Sequence, residues 1–208
     1  MYILARKYHD RIGWIALCED IPNINCQNAQ EDDLIQAVVE WPDIINIMDN
    51  PSEAVQLAAI RGDHEVVSYI HEPVESVMLQ AILGDPTSIR YITRPSPTLQ
   101  IAAFYSAQRN SHIDRGGDIL YYIDYQCTDV KQLAMDESPL NIEAIKRPSM
   151  ELQQLAVEHD PSLVKKIHPV SHPKIAQYVL DATSDDGLRD WVMSDTIRRC
   201  GHDNGLHY

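Results

Sequence analysis

The 208 residues are 44% hydrophobic and 23% charged, a composition that folds into one sizeable core or a row of small units. With 17 Lys and Arg against 31 Asp and Glu the formal charge is −14, which argues against a general DNA or RNA binder, because such proteins gather cations against phosphates. The opening Met1-Tyr2-Ile3-Leu4-Ala5-Arg6-Lys7 is charged too early for a signal peptide, and no run approaches the ~18 apolar residues of a membrane span. Four cysteines in a chain of this length make no disulfide framework, so the expectation is a soluble cytoplasmic protein with free thiols.

Residues 1–28 contain Tyr2-Ile3-Leu4 and Ile12-Gly13-Trp14-Ile15-Ala16-Leu17 without periodicity, and are expected to form a small N-terminal cap, as a hairpin or a short helix. From residue 29 the chain repeats. Ile35, Leu57, Leu79, Ile101, Leu133 and Leu155 are spaced by 22, 22, 22, 32 and 22 residues. Met48, Ile70, Ile92, Ile123, Ile145 and Ile167 follow at 22, 22, 31, 22 and 22. Two ladders with one period and one shared interruption mark a repeat architecture.

Each unit reads as two short helices. The first begins at Asn50-Pro51-Ser52-Glu53, Glu72-Pro73-Val74-Glu75, Arg94-Pro95 and Arg147-Pro148-Ser149, and the second at Asp63-His64-Glu65, Asp85-Pro86-Thr87, Ser138-Pro139-Leu140 and Asp160-Pro161-Ser162. Proline suits a helix start, and the Asp or Ser before the second helix can accept first-turn amide protons. Gly62 and Gly84 are expected to end the first helix in a left-handed conformation. Helices this short are marginal alone in water, so neighbours must stack and share a core. The expected fold is an all-α solenoid of about seven two-helix repeats over residues 29–190, starting near 29, 51, 73, 95, 127, 148 and 171, with 191–208 as C-terminal cap and tail. The fourth unit carries about ten extra polar, glycine-containing residues at 105–117, expected to form a loop.

The segment Asn50-Pro51-Ser52-Glu53-Ala54-Val55-Gln56-Leu57-Ala58-Ala59-Ile60, followed by Val67-Ser68-Tyr69-Ile70, resembles the short proline-initiated helical repeats of leucine-rich-variant and related uncharacterised solenoids of bacterial and phage proteins. The resemblance covers about residues 29–190. It implies an all-helical solenoid and brings no catalytic residues, since such repeats share no activity.

Between Arg11 and Arg61 there is no Lys or Arg, while Glu19, Asp20, Glu31, Asp32, Asp33, Glu40, Asp43, Asp49 and Glu53 all fall there. Such carboxylates either attract a basic partner surface or form a solvated face favoured by helix N-termini. Tyr69, Tyr91 and Tyr122 each precede a second-ladder residue and should share one edge of a stack, as recognition groups or as packing between layers. Arg109, His112 and Arg115 in the insertion complete the candidate contact set.

Metal and catalytic signals are weak. His64-Glu65 lacks the second histidine of a zinc-protease helix, Cys200, His202 and His207 complete no site, and Cys18 and Cys26 read as buried fillers. No nucleophile elbow, phosphate loop or dinucleotide signature occurs. The functional expectation is therefore a non-enzymatic protein-binding solenoid without cofactor, metal, nucleic acid or membrane partner, monomeric or homo-oligomeric, a phage-type inhibitor of a host factor being one specialised form. The alternative is a helical-repeat enzyme or nucleic-acid processing protein whose groove gathers Arg90, Arg94, Arg109, Arg115, Lys146 and Arg147.

Overall fold

A computed structural model describes residues 24–25, 30–109, 116–167 and 173–203, without the side chains of 24–25, 116 and 196–203. Most of the expected N-terminal cap, together with His112 and Arg115, lies outside the described residues.

The fold is all-α, and its repeat alternates an α-helix with a 3-10 helix. In chain order these are α1 (Glu31–Glu40), η1 (Pro42–Ile47), α2 (Glu53–Gly62), η2 (His64–Tyr69), α3 (Glu75–Gly84), η3 (Pro86–Tyr91), α4 (Pro97–Arg109) and η4 (Gly116–Tyr122). There follow α5 (Thr128–Glu137), η5 (Pro139–Ala144), α6 (Met150–His159), η6 (Pro161–Lys166), α7 (Pro173–Ala182) and α8 (Asp186–Asp203). The chain forms two compact units that divide between Ser106 and Ala107, inside α4. Within each unit, α-helices pack on neighbouring α-helices and 3-10 helices on neighbouring 3-10 helices. Among the described residues, one short parallel pairing departs from the helical pattern: β1 (Ile24–Asn25) against β2 (Met48–Asp49).

The second element of each repeat is a 3-10 helix, where an ordinary helix was expected. At ~2.0 Å rise, six 3-10 residues span roughly 12 Å, close to the roughly 15 Å of a ten-residue α-helix, so a short segment still crosses the layer. Three residues per turn also bring i and i+3 onto one face. The buried pairs Ile45/Met48, Val67/Ile70, Ile89/Ile92, Leu120/Ile123, Ile142/Ile145 and Val164/Ile167 follow that rule. In each pair the ladder residue donates its N–H to the carbonyl of the earlier one. The second ladder is therefore a core row that also closes each 3-10 helix.

The first ladder is shallower. Ile35, Leu57, Leu79, Ile101 and Leu133 are half-buried and Leu155 is exposed, whereas Val55, Val77, Leu99, Val130 and Leu152 are buried. A row of alanines at Ala59, Ala81, Ala103, Ala134 and Ala156 is wholly inaccessible. Small side chains there let adjacent helices approach closely, and the flanking Ile60, Ile82, Phe104, Met135 and Val157 fill the space.

The punctuation is also resolved. Asp63, Asp85, Ser138 and Asp160 cap the 3-10 helices, accepting from Glu65, Thr87, Leu140 and Ser162 N–H at 2.9, 2.9, 3.3 and 2.8 Å. The first helices begin later than the prolines suggested. Pro51 and Pro148 lie outside, Ser52 and Ser149 are the caps, and the preceding Asn50 and Arg147, like Arg94 before Pro95, adopt φ of 52°, 51° and 54°. The left-handed residue thus sits at the start of a repeat.

Gly62 and Gly84 do not have positive φ, contrary to expectation. Their role is close approach: a Cβ on Gly62 would lie 2.6 Å from Pro42 Cγ, and one on Gly84 would overlap the His64 imidazole. In both cases the end of one α-helix rests on the first residue of the preceding 3-10 helix.

Candidate protein-binding surface

The turn into α2 carries a glutamine that organises it. Gln56 is 6% exposed and donates Nε2 to the Pro51 carbonyl at 2.9 Å, and Gln100 and Gln153 do the same to Pro95 and Pro148 at 2.8 and 3.0 Å. Each buries an amide to satisfy a carbonyl at the bend, which would otherwise cost about 1–3 kcal/mol. The same repeat position holds Met78 and Lys131. Lys131 Nζ reaches the Lys146 carbonyl at 2.7 Å, and burial, followed by the Arg147 charge, pushes its pKa down.

Beside Gln56 the first unit has a groove of about 780 Å³ lined by residues within 45–51 and 68–72. It brings together two residues singled out in the sequence, Asp49 and Tyr69, and adds Asn50, His71, Glu72 and Gln56. Asp49 follows the buried Met48, and His71 follows the buried Ile70, so the ladder residues anchor the floor and turn their successors outward. Asn50 Nδ2 donates to Asp49 Oδ1 at 2.9 Å, and His71 Nδ1 lies 3.9 Å from Glu72 Oε1. Gln56 was the residue sequence reasoning missed. Its signal is the recurrence of Gln five residues after proline at 56, 100 and 153.

Tyr69, Tyr91 and Tyr122 end η2, η3 and η4 and are 48, 38 and 42% exposed. Tyr69 and Tyr91 occupy equivalent positions in adjacent repeats of the first unit, and Tyr122 the same position in the second. The Arg90 guanidinium stands over the Tyr91 ring at 5.1 Å. Tyr105, Tyr121 and Tyr125 are exposed as well.

The acidic candidates are exposed but scattered among elements: Asp32 and Asp33 in the first turn of α1, Glu40 at its end, Asp43 in η1, Asp49 in the groove and Glu53 opening α2. Glu53 has a structural task, since its Oε1 accepts from Ser76 Oγ at 2.5 Å, and Glu31 accepts from Ser52 in the same way. Arg109 ends α4, exposed. Of the cations assigned to a basic groove, Lys146 lies 2.7 Å from Asp124 Oδ1. Among the described residues, no group of three or more His, Cys, Asp or Glu could hold a metal ion, and no helix is long and apolar enough to cross a membrane.

No protein-family model matches the chain, and neither a curated protein nor a solved structure matches it. The architecture is an all-helical array of short two-helix repeats.

Proposed function

We propose that this chain is a non-enzymatic, cytoplasmic protein-binding repeat protein whose partner presents a basic surface. The observation that carries the reading is the groove in which Asp49, Tyr69 and Glu72 stand exposed over a packed floor. Two features support it. Repeat neighbours are fixed by packing, so the surface is preorganised and little ordering entropy opposes association. Residues 12–60 contain no Lys or Arg, so the exposed carboxylates of α1, η1 and α2 act on an approaching cation without a competing positive charge from that stretch. The sequence resemblance supports a kinship with leucine-rich-variant and related repeats, and blocking a host factor is one specialised form of this function.

The test is a photo-reactive residue at Tyr69, with a control at Ser162 in the second unit, in the full chain expressed in its native cell. A defined protein cross-linked from position 69 and not from 162, and released as salt rises, supports the reading. Cross-linking from neither position, or a complex indifferent to ionic strength, overturns it.

A further inference from the structure

We propose that the groove beside Gln56 is a guanidinium pocket that takes an arginine side chain of the partner, a deepening that rests on the protein-binding reading. The decisive group is the Gln56 side-chain oxygen. Donation of Nε2 to the Pro51 carbonyl fixes the orientation of the amide and leaves Oε1 buried with no hydrogen-bond partner, on a residue that lines the groove. A buried amide oxygen without a donor is costly, so the site is built for a ligand that brings N–H groups.

The rest of the lining selects the kind of donor. Asp49, whose Oδ1 accepts from Asn50, and Glu72, whose Oε1 lies 3.9 Å from His71 Nδ1, are both exposed and both line the groove. The half-exposed Tyr69 supplies an aromatic face. A planar cation with several N–H donors fits all three: one N–H to Gln56 Oε1, a charge-assisted pair to a carboxylate, and the face over tyrosine. Lysine offers a point charge without the planar fork, and a neutral amide forgoes the carboxylates.

The fold supplies its own control for Gln56. Met78 holds the equivalent position one repeat later, so Gln56→Met keeps a side chain this architecture already accommodates while removing the acceptor together with the Nε2 donor to Pro51, and its thermal unfolding is compared with that of the unaltered chain before binding is read. The probe is an N-acetylated, C-amidated pentapeptide Gly-Gly-Arg-Gly-Gly, compared with its lysine and citrulline counterparts and titrated into the full chain while NMR follows the Gln56 side-chain amide and the Tyr69 ring. The arginine peptide is expected to shift both signals saturably, and to bind at least about tenfold more tightly than the citrulline peptide, with Q56M and D49N each weakening it by about tenfold. Equal binding of the citrulline peptide, or no movement of the Gln56 amide in the folded protein, overturns the proposal. Should the partner cross-linked at position 69 bind Q56M as well as the unaltered chain, the pocket falls and the protein-binding reading stands. Should the arginine peptide bind as described while no partner is captured, the pocket stands and that reading falls.

Discussion

Ser96 Oγ donates to Glu75 Oε1 at 2.7 Å across 21 residues of sequence, and the same hydroxyl accepts from Leu99 N–H at 3.4 Å. One serine thus caps its own helix and ties it to the preceding repeat. Glu53 and Ser76 form the next tie in the first unit, Glu31 and Ser52 another. Ser96→Ala removes both contacts and is expected to cost about 1–2 kcal/mol, the range of a lost N-cap. Glu75→Gln, whose side-chain oxygen still accepts the hydroxyl proton, should cost less. Thermal unfolding of the two variants checks the order, and E75Q losing more than S96A would refute the double role.

A methyl group on Gly117 would overlap the Asn141 side chain, which is 1% exposed and held by bonds from Nδ2 to the Ala134 carbonyl and to Glu137 Oε2, both at 2.9 Å. Gly117 N–H also donates to Glu137 Oε2 at 2.9 Å, closing the chain after the insertion. Because Asn141 cannot move without breaking these bonds, Gly117→Ala is expected to destabilise by about 1–3 kcal/mol. Gly187→Ala, where the nearest atom is the exposed Asp185 Oδ1 at 3.3 Å, should be near neutral. Denaturant midpoints of the pair measure the contrast.

Arg147 holds φ of 51°, and its charge is one of the causes lowering the Lys131 pKa. Arg147→Gly removes the steric strain of the left-handed position and a like charge at once. The expected result is a gain of about 0.5–1 kcal/mol, with the Lys131 ammonium titrating at higher pH than in the unaltered chain. A lower melting temperature, or an unmoved Lys131 resonance, contradicts this account.

Asp160 caps η6, and the Ser162 N–H, followed by the Ser162 hydroxyl, holds its pKa below the ordinary carboxylate value. A carboxylate with a depressed folded pKa adds stability that is complete above its unfolded pKa and is lost as pH falls through the folded one. Asp160→Ala is expected to cost about 1 kcal/mol near neutral pH, with the difference from the unaltered chain shrinking as pH drops below the carboxylate range. Stability curves at neutral and strongly acid pH check it. A constant difference would show that the charge does not carry the cap.

Part of this architecture is legible in residue order because its period is local. The ladder Met48 to Ile167 and the Asp or Ser before His64, Pro86, Pro139 and Pro161 are read by neighbours within a few positions, so spacing alone locates the buried edge and the second-helix starts. The shallower depth of the Ile35 to Leu155 ladder was not legible, because periodicity marks a recurring position without saying how far it lies from the next helix. The roles of Gly62 and Gly84 were misread for the same reason, since local rules offer a left-handed end while the packed 3-10 helix imposes a close contact.

Repeat length, the place of the interruption and the helical class are all readable from residue order, because they are properties of short-range propensity and period. Packing of the layers sets the 3-10 winding of the second element, the turn of the Glu53 carboxylate to Ser76, and the meeting of Asp49, Tyr69 and Gln56 in the lining of one groove. Those outcomes depend on distances between residues about one repeat apart, and such distances exist only after the layers have packed.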